Sequence, residues 1–247
     1  MKKIFASLVA LSLFACTNDD NSIVPDNRAP AGAIAVDMGF PSGTKWANMN
    51  LGAETPEGEG CYYVWGETTA FTDADLEWRV FNFTTYKWAN GDPYGLTKYC
   101  YEEEFGIVDD KWELDLEDDA AHVNWGGEWV MPSQEEAYEL FENCDFVWTE
   151  QNGVEGGLFT SKINGNKIFI PGRGYLKDSN HMSDGILGHY WCNNLYRKQP
   201  GEEMLEIHPP FAGSYLYFFK VTDRKNTGVG KAGRNGAFPV RPVIRKK

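Results

Sequence analysis

The chain has 247 residues, with 36 acidic against 23 basic side chains and a formal charge of −13 at pH 7. So acidic a surface argues against nucleic acid or an anionic membrane surface as partner, because both repel carboxylates. No stretch is long and apolar enough to cross a bilayer as a helix.

Residues 1–15, MKKIFASLVALSLFA, carry a Lys2-Lys3 start and an apolar run ending in Ala15, the layout of a secretory signal. Losing the two lysines with the leader takes the formal charge from −13 to −15. Cys16 follows at once, and Leu13-Phe14-Ala15-Cys16 resembles the lipobox of bacterial lipoproteins, in which the cysteine is lipidated. Thr17-Asn18-Asp19-Asp20 resembles the acidic tag of surface-exposed Bacteroidetes lipoproteins, which implies an outer-membrane location facing outward. Residues 16–33 are rich in Asn, Asp, Pro, Ala and Gly without an apolar period and read as a flexible tether. A single domain is expected over 34–247, its about 210 residues being enough for one core.

The strongest helix signal starts at Ser133, with Glu136 placed to complete a capping box and Pro132 before it. Ala137, Leu140, Phe141 and Cys144 then form one apolar face, while Glu135, Glu139 and Glu142 face water. On this reading Glu136 is a capping residue and not a general acid. A second, shorter helix is expected over Leu116 to Val123, with Ala120 and Ala121 inward. Asn152-Gly153 and Asn164-Gly165 are type I′ hairpin signals, so 146–171 reads as an antiparallel meander. "YLYFF", 215–219, reads as a buried strand; "AFPVRPVI" holds Pro239 and Pro242 and belongs at an edge or a bulge. The segments 174–203 and 222–236 show little periodicity and read as long loops, where binding residues gather.

Chemical motifs are sparse. Gly228–Gly233 matches GxGxxG, but Phe238-Pro239 follows where a helix should run, so a dinucleotide site is rejected. There is no GxSxG, HExxH, Walker loop or CxxC. His122, His181, His189 and His208 show no ligand-like clustering. The acids Asp109, Asp110, Asp115, Glu117, Asp118 and Asp119 fail the EF-hand test, since Ala120 stands at the sixth position counted from Asp115 and Gly126 at the twelfth; only a nonstandard calcium site remains open. No two carboxylates stand out as a glycosidase pair. Cys61, Cys100, Cys144 and Cys192 are even in number and permit two disulfides, with three pairings open.

Six blocks in order, "AVDMGFPSGTKWANMNLGA", "YYVWGET", "DDAAHVNWGGEWVMPSQEEAYEL", "NGNKIFIPGRGY", "GHYWCNN" and "FPVRPV", resemble the Fibrobacter succinogenes major paralogous domain family. That family is related to the formylglycine-generating-enzyme-like and C-type-lectin-like group. The resemblance implies an α+β, C-type-lectin-like fold with small antiparallel sheets, two helices and long irregular loops. It makes Trp125 and Trp129 core anchors and Gly126-Gly127 a tight structural corner. It also implies carboxyl-terminal loops that some relatives diversify.

Two departures narrow the activity. Copper-binding catalytic cysteines are not matched, since Cys192 has no second cysteine in the late loops, and the tripeptides of calcium-dependent sugar-binding lectins are missing. The expectation is a non-catalytic, lipid-anchored surface adhesion or binding protein, with no cofactor, that meets a glycan or protein ligand through Arg173, Tyr175, His189, Tyr190, Trp191, Asn193, Asn194 and Tyr196. Arg224, Asn226, Arg234 and Asn235 stand behind them. Aromatic faces and planar amide or guanidinium groups bind at modest entropic cost. An envelope enzyme using a carboxylate or cysteine, or an architectural subunit of a surface or pilus assembly, are the alternatives.

Overall fold

The computed structural model describes residues 27–72, 75, 79–178, 180–182, 185–203, 206–220 and 226–246. The leader, Cys16, most of the expected tether and Arg224 lie outside the described residues. From Asn27 onward, however, the expected tether is docked. Asn27 bridges Gly126, and Arg28 donates its amide to Trp125 O at 2.6 Å and its guanidinium to Val123 O at 2.7 Å. The unpatterned composition misled here because backbone and guanidinium bonds hold this segment, with no apolar stripe to mark it.

The fold is mixed, with small antiparallel sheets and two α-helices among the described residues. In the first sheet, β1 (Ala35–Asp37) pairs with β2 (Lys45–Ala47), and β14 (Val243–Ile244) lies between β2 and β4 (Trp129–Val130). Amino- and carboxyl-terminal segments are thus hydrogen-bonded neighbours. A second sheet runs β3 (Tyr62–Val64), β13 (Ala237–Pro239), β8 (Tyr175–Lys177), β9 (Asn180–Met182). The third is the expected meander, β5 (Cys144–Gln151), β6 (Val154–Ser161) and β7 (Lys167–Pro171). The fourth joins β10 (Leu187–Leu195), β11 (Gly213–Phe219) and β12 (Thr227–Ala232).

Local chemistry explains the helices. In α2 (Gln134–Asn143), Ser133 Oγ accepts from Glu136 N and Glu136 Oε2 accepts from Ser133 N at 2.7 Å, so the capping box is complete. Glu136 also takes Thr44 Oγ1 at 2.9 Å and the guanidinium of Arg245 at 2.9 and 3.0 Å. Cys144 has already left the helix and opens β5. The shorter helix is a 3₁₀ turn at Leu116–Asp118 followed by α1 (Ala120–Trp125), capped by Asp119, whose side chain accepts from His122 N. Gly126 and Gly127 follow with φ of 67° and 59°, a pair of left-handed residues that only glycine adopts cheaply. They turn Trp125 and Trp129 into an edge-to-face pair at 5.1 Å in the core.

Four expectations are corrected. Asn152-Gly153 closes a two-residue hairpin with both φ values positive, but at Asn164-Gly165 only Gly165 is left-handed. The Asn164 amide is instead drawn to Asp37 O at 2.9 Å, and the loop spans five residues, 162–166. The closing segment is not an edge: β13 and β14 are both interior. Its prolines are tolerated because Pro239 is the last residue of β13 and Pro242 lies between the strands, where only its carbonyl is used, by Ala47 N. Residues 187–195 form β10, no loop, buried on both faces between two aromatic cores: Trp191 and Leu195 enter one, Tyr190 and Cys192 the other. The four cysteines are all free.

Candidate functional site

The fourth sheet positions the site. Along β11, Ser214, Leu216 and Phe218 point into the protein, so period-two alternation turns Tyr215, Tyr217 and Phe219 to the other face, where each is half-buried. Register places Gly230 opposite Tyr215 and Gly228 opposite Tyr217. A Cβ at Gly230 would meet Tyr215 Cζ at 2.8 Å, and one at Gly228 would meet the Tyr217 hydroxyl at 2.6 Å. The rings therefore lie across bare glycine backbone. On the opposite strand His189 is the partner of Tyr217 and Trp191 of Tyr215.

Below and beside this row sits a continuous ring stack. Trp191 stacks on Phe238 at 3.9 Å and 8°, and His189 on Phe238 at 5.6 Å and 18°. Tyr215 meets His189 at 4.6 Å, and Tyr175 meets both His189 and Phe238 at 5.2 Å. Together with Phe83 and Phe211, an edge-to-face pair at 5.8 Å, these rings bound an open cleft of about 440 Å³. Its polar lining is supplied by Lys177, Lys231 and Asn235. A volume near 440 Å³ lies within the ~300–1,000 Å³ span of small-molecule sites.

The electrostatics of the cleft follow from burial. His189 is 9% exposed and its pKa is lowered to about 4 by desolvation, so the ring is neutral at physiological pH. Its Nδ1 is buried with no hydrogen-bond partner among the described residues. Nε2 is thus the ring nitrogen left to meet a ligand. Desolvation, then the neighbouring Tyr217 and Tyr175, pushes the Tyr215 phenol up to about 12 and keeps it a neutral donor. Burial and the nearby Lys198 ammonium lower the pKa of Lys231.

Of the residues expected to bind, Tyr175, His189 and Asn235 line this cleft, and Trp191 forms its base beneath Phe238. Most of the others that lie among the described residues are placed away from the cleft. Tyr190 is fully buried on the opposite face of β10 and donates to Pro171 O at 2.7 Å. Asn194, 2% exposed, accepts from Gln134 N at 2.8 Å, while Asn193 lies buried with its backbone tied to Pro132 and Leu114. Tyr196 is buried and donates to Glu202. Arg173 pairs with Glu59 at 3.1 Å and lies over the Tyr62 ring. Arg234 is fully buried, donates to Tyr99 O at 2.6 Å and sits over Trp65 and Tyr86. Asn226 accepts at its backbone carbonyl from Phe219 N. Irregular backbone has many carbonyls and amides outside any ladder, and the side chains of Tyr190, Asn194 and Arg234 satisfy some of them instead of facing solvent.

Sequence reasoning missed Tyr215, Phe238, Phe83, Phe211, Lys177 and Lys231. One signal was present: tyrosines at alternate positions of "YLYFF" with glycines at alternate positions of "TGVGKA". It becomes meaningful only once the two strands are known to pair.

Part of the acidic run gathers around an ammonium group. Asp115, Glu117 and Asp118 come together, and Lys98 Nζ lies among them, 2.7 Å from Asp115, 2.5 Å from Asp118 and 3.6 Å from Glu117. Tyr99 donates to Asp118 at 2.6 Å, and Lys111 pairs with Asp115 at 2.6 Å. Asp109 accepts from the amides of Tyr99 and Cys100, and Asp119 from Met131 N. An ammonium thus stands where a calcium ion would need to be. The thiols are equally committed: burial raises the pKa of all four cysteines, that of Cys144 to about 12, so none is a thiolate at neutral pH.

Compared with family models, curated proteins and solved structures, the chain matches none. Among the described residues no helix is long and apolar enough to cross a membrane.

Proposed function

We propose that the chain is a lipid-anchored, non-catalytic binding protein of the bacterial outer surface, and that it holds a glycan in the cleft between Tyr175, Tyr215 and Phe238. The observation that carries this is the row of half-buried aromatic rings laid over glycine backbone beside a cleft with lysine, asparagine and imidazole donors. Aromatic faces present a flat apolar platform to the C–H face of a sugar ring, and the polar groups at its margin fix orientation. No carboxylate lines the cleft among the described residues, and glycoside hydrolysis ordinarily needs two. That favours binding without turnover.

The resemblance to the Fibrobacter succinogenes major paralogous domain supports a C-type-lectin-like reading of the fold. So do the pairing of the terminal strands β1, β2 and β14 and the presence of two helices beside small antiparallel sheets. The Cys16 lipobox and the acidic residues after it support anchoring at the cell surface.

The test is a glycan array followed by calorimetry with the chain from Cys16 onward. Binding should persist in a chelator, leave the glycan intact, and weaken at least about tenfold in Tyr215→Ala and Tyr175→Ala. Unchanged affinity in both variants with native circular dichroism would remove this site from consideration. Glycan cleavage would return the enzyme alternative.

A further inference from the structure

Resting on the glycan reading above, we propose that Tyr215, Tyr217 and Phe219 carry the cleft onward as a row of subsites for a single extended glycan of equatorially linked, β-1,4-type sugars. Alternation along β11 puts these three side chains on one face, and the strand spaces Tyr215 and Phe219 by about 13 Å of backbone. A lone monosaccharide does not fill that length. Tyr215 borders the cleft, Tyr217 lies 6.1 Å from it, centroid to centroid, and Phe219 lies 5.1 Å from Tyr217. The row follows the strand, so a glycan lying along it must be extended and not coiled.

Three observations mark the row as a contact surface continuous with the cleft. Neither Tyr217 nor Phe219 belongs to any of the three hydrophobic cores, and both are half-buried. Gly228 and Gly230, the facing residues of β12, place no side chain beside the tyrosine rings. The hydroxyls of Tyr215 and Tyr217 have no hydrogen-bond partner among the described residues and are not sealed from solvent. Apolar ring faces with unused hydroxyls at their margins suit a ligand that is itself part C–H face and part hydroxyl.

The ring planes also choose between two forms of such a glycan. Tyr215 and Tyr217 are inclined by 51°, and Tyr217 and Phe219 by 40°, so no common plane runs through the row. The flat face of a crystalline glycan would lie against one ring at a time. A single soluble strand can rotate from unit to unit and meet each ring in turn.

Calorimetry with the protein from Cys16 onward would compare the biose and the tetraose of the xylan, mannan and cellulose series, with maltose and maltotetraose as the coiled, α-linked control. In at least one β-1,4 series the tetraose should bind about tenfold or more tightly than the biose. Maltotetraose should show no such gain, and microcrystalline cellulose should retain none of the protein. The ratio of tetraose to biose affinity should fall to near one in Tyr217→Ala/Phe219→Ala. Gly228→Val, in which a Cβ 2.6 Å from the Tyr217 hydroxyl pushes that ring aside, should lower the ratio too and serves if the double variant does not fold. No gain with length in any β-1,4 series, an equal gain with maltotetraose, or a gain that survives both variants would overturn the row and leave the glycan reading of the cleft standing. Retention on microcrystalline cellulose would overturn the single-strand form. Failure of every sugar to bind, on the array as in calorimetry, would instead overturn the glycan reading on which the proposal rests.

Discussion

The Tyr215 ring covers Gly230 on the neighbouring strand so closely that a Cβ built there would stand 2.8 Å from Tyr215 Cζ. Glycine at this position is what lets the ring lie flat on the sheet. The atoms that would clash belong to the far end of the tyrosine, which is only half-buried, so a larger residue tilts the ring outward and leaves the fold intact. Gly230→Val should therefore cost at most about 1–2 kcal/mol of stability in urea unfolding, while weakening glycan binding by about tenfold. Binding equal to that of the parent chain would show that the flat ring has no part in the site.

His189 makes stability depend on pH in a definite direction. Its folded pKa, about 4, lies below its ordinary 6.5, so between these values the unfolded chain holds the extra proton. The stabilisation is full above pH 6.5 and is lost as pH falls toward 4, with a slope of up to about 1.4 kcal/mol per unit. Asp119, whose pKa burial raises, acts with the opposite sign in the acid range. The informative quantity is accordingly the difference between parent and His189→Gln in denaturant midpoints from pH 7 to 4.5, which should narrow steadily with acid. A constant difference would place the titrating group elsewhere.

Glu136 joins four partners, the Ser133 amide, Thr44 Oγ1 and two nitrogens of Arg245, and so ties α2 to the first sheet's neighbourhood and to the chain's end. Glu136→Ala leaves Arg245 and the helix entry unsatisfied together. A loss of about 3 kcal/mol is expected by chemical denaturation, with about half of it recovered in Glu136→Gln, which keeps the neutral hydrogen bonds.

Lys98 is the cation that reaches all three acids of the Asp115, Glu117 and Asp118 cluster, with Lys111 on Asp115 and Lys87 on Asp118 beside it. Millimolar calcium should leave the melting temperature of the parent chain unchanged. Lys98→Met leaves the buried Asp118 carboxylate only Lys87 at 3.4 Å and the Tyr99 hydroxyl at 2.6 Å, and a loss of about 1–2 kcal/mol should follow. Calcium should then restore part of that loss, since the carboxylate oxygens lie within 4.8 Å of one another. A calcium-dependent rise in the parent chain would contradict this.

With four free cysteines, three of them buried and Cys61 partly so, reductant should not shift the melting temperature. In a Cys16→Ser chain, a thiol reagent should titrate Cys61 alone in native buffer and all four thiols in denaturant. Fewer thiols in denaturant would reveal a disulfide.

The core tryptophans beside Gly126-Gly127 were expected only from the family resemblance, whereas the capping box at Ser133–Glu136 and the left-handed pair at Asn152-Gly153 could be read directly from the sequence. Each depends on residues a few positions apart, whose side chains satisfy nearby backbone or set its dihedrals before any packing occurs. The nature of "GHYWCNNL" could not be read that way. A strand buried on both faces shows no polar–apolar alternation, so β10 resembled a loop and its asparagines and tyrosine looked available to a ligand. Only tertiary structure decided which rings face the cleft, because that depends on β10, β11 and β12 pairing in one register. A shift by a single residue would exchange Tyr215 with Leu216 and His189 with Tyr190, turning the platform into core and the core into platform.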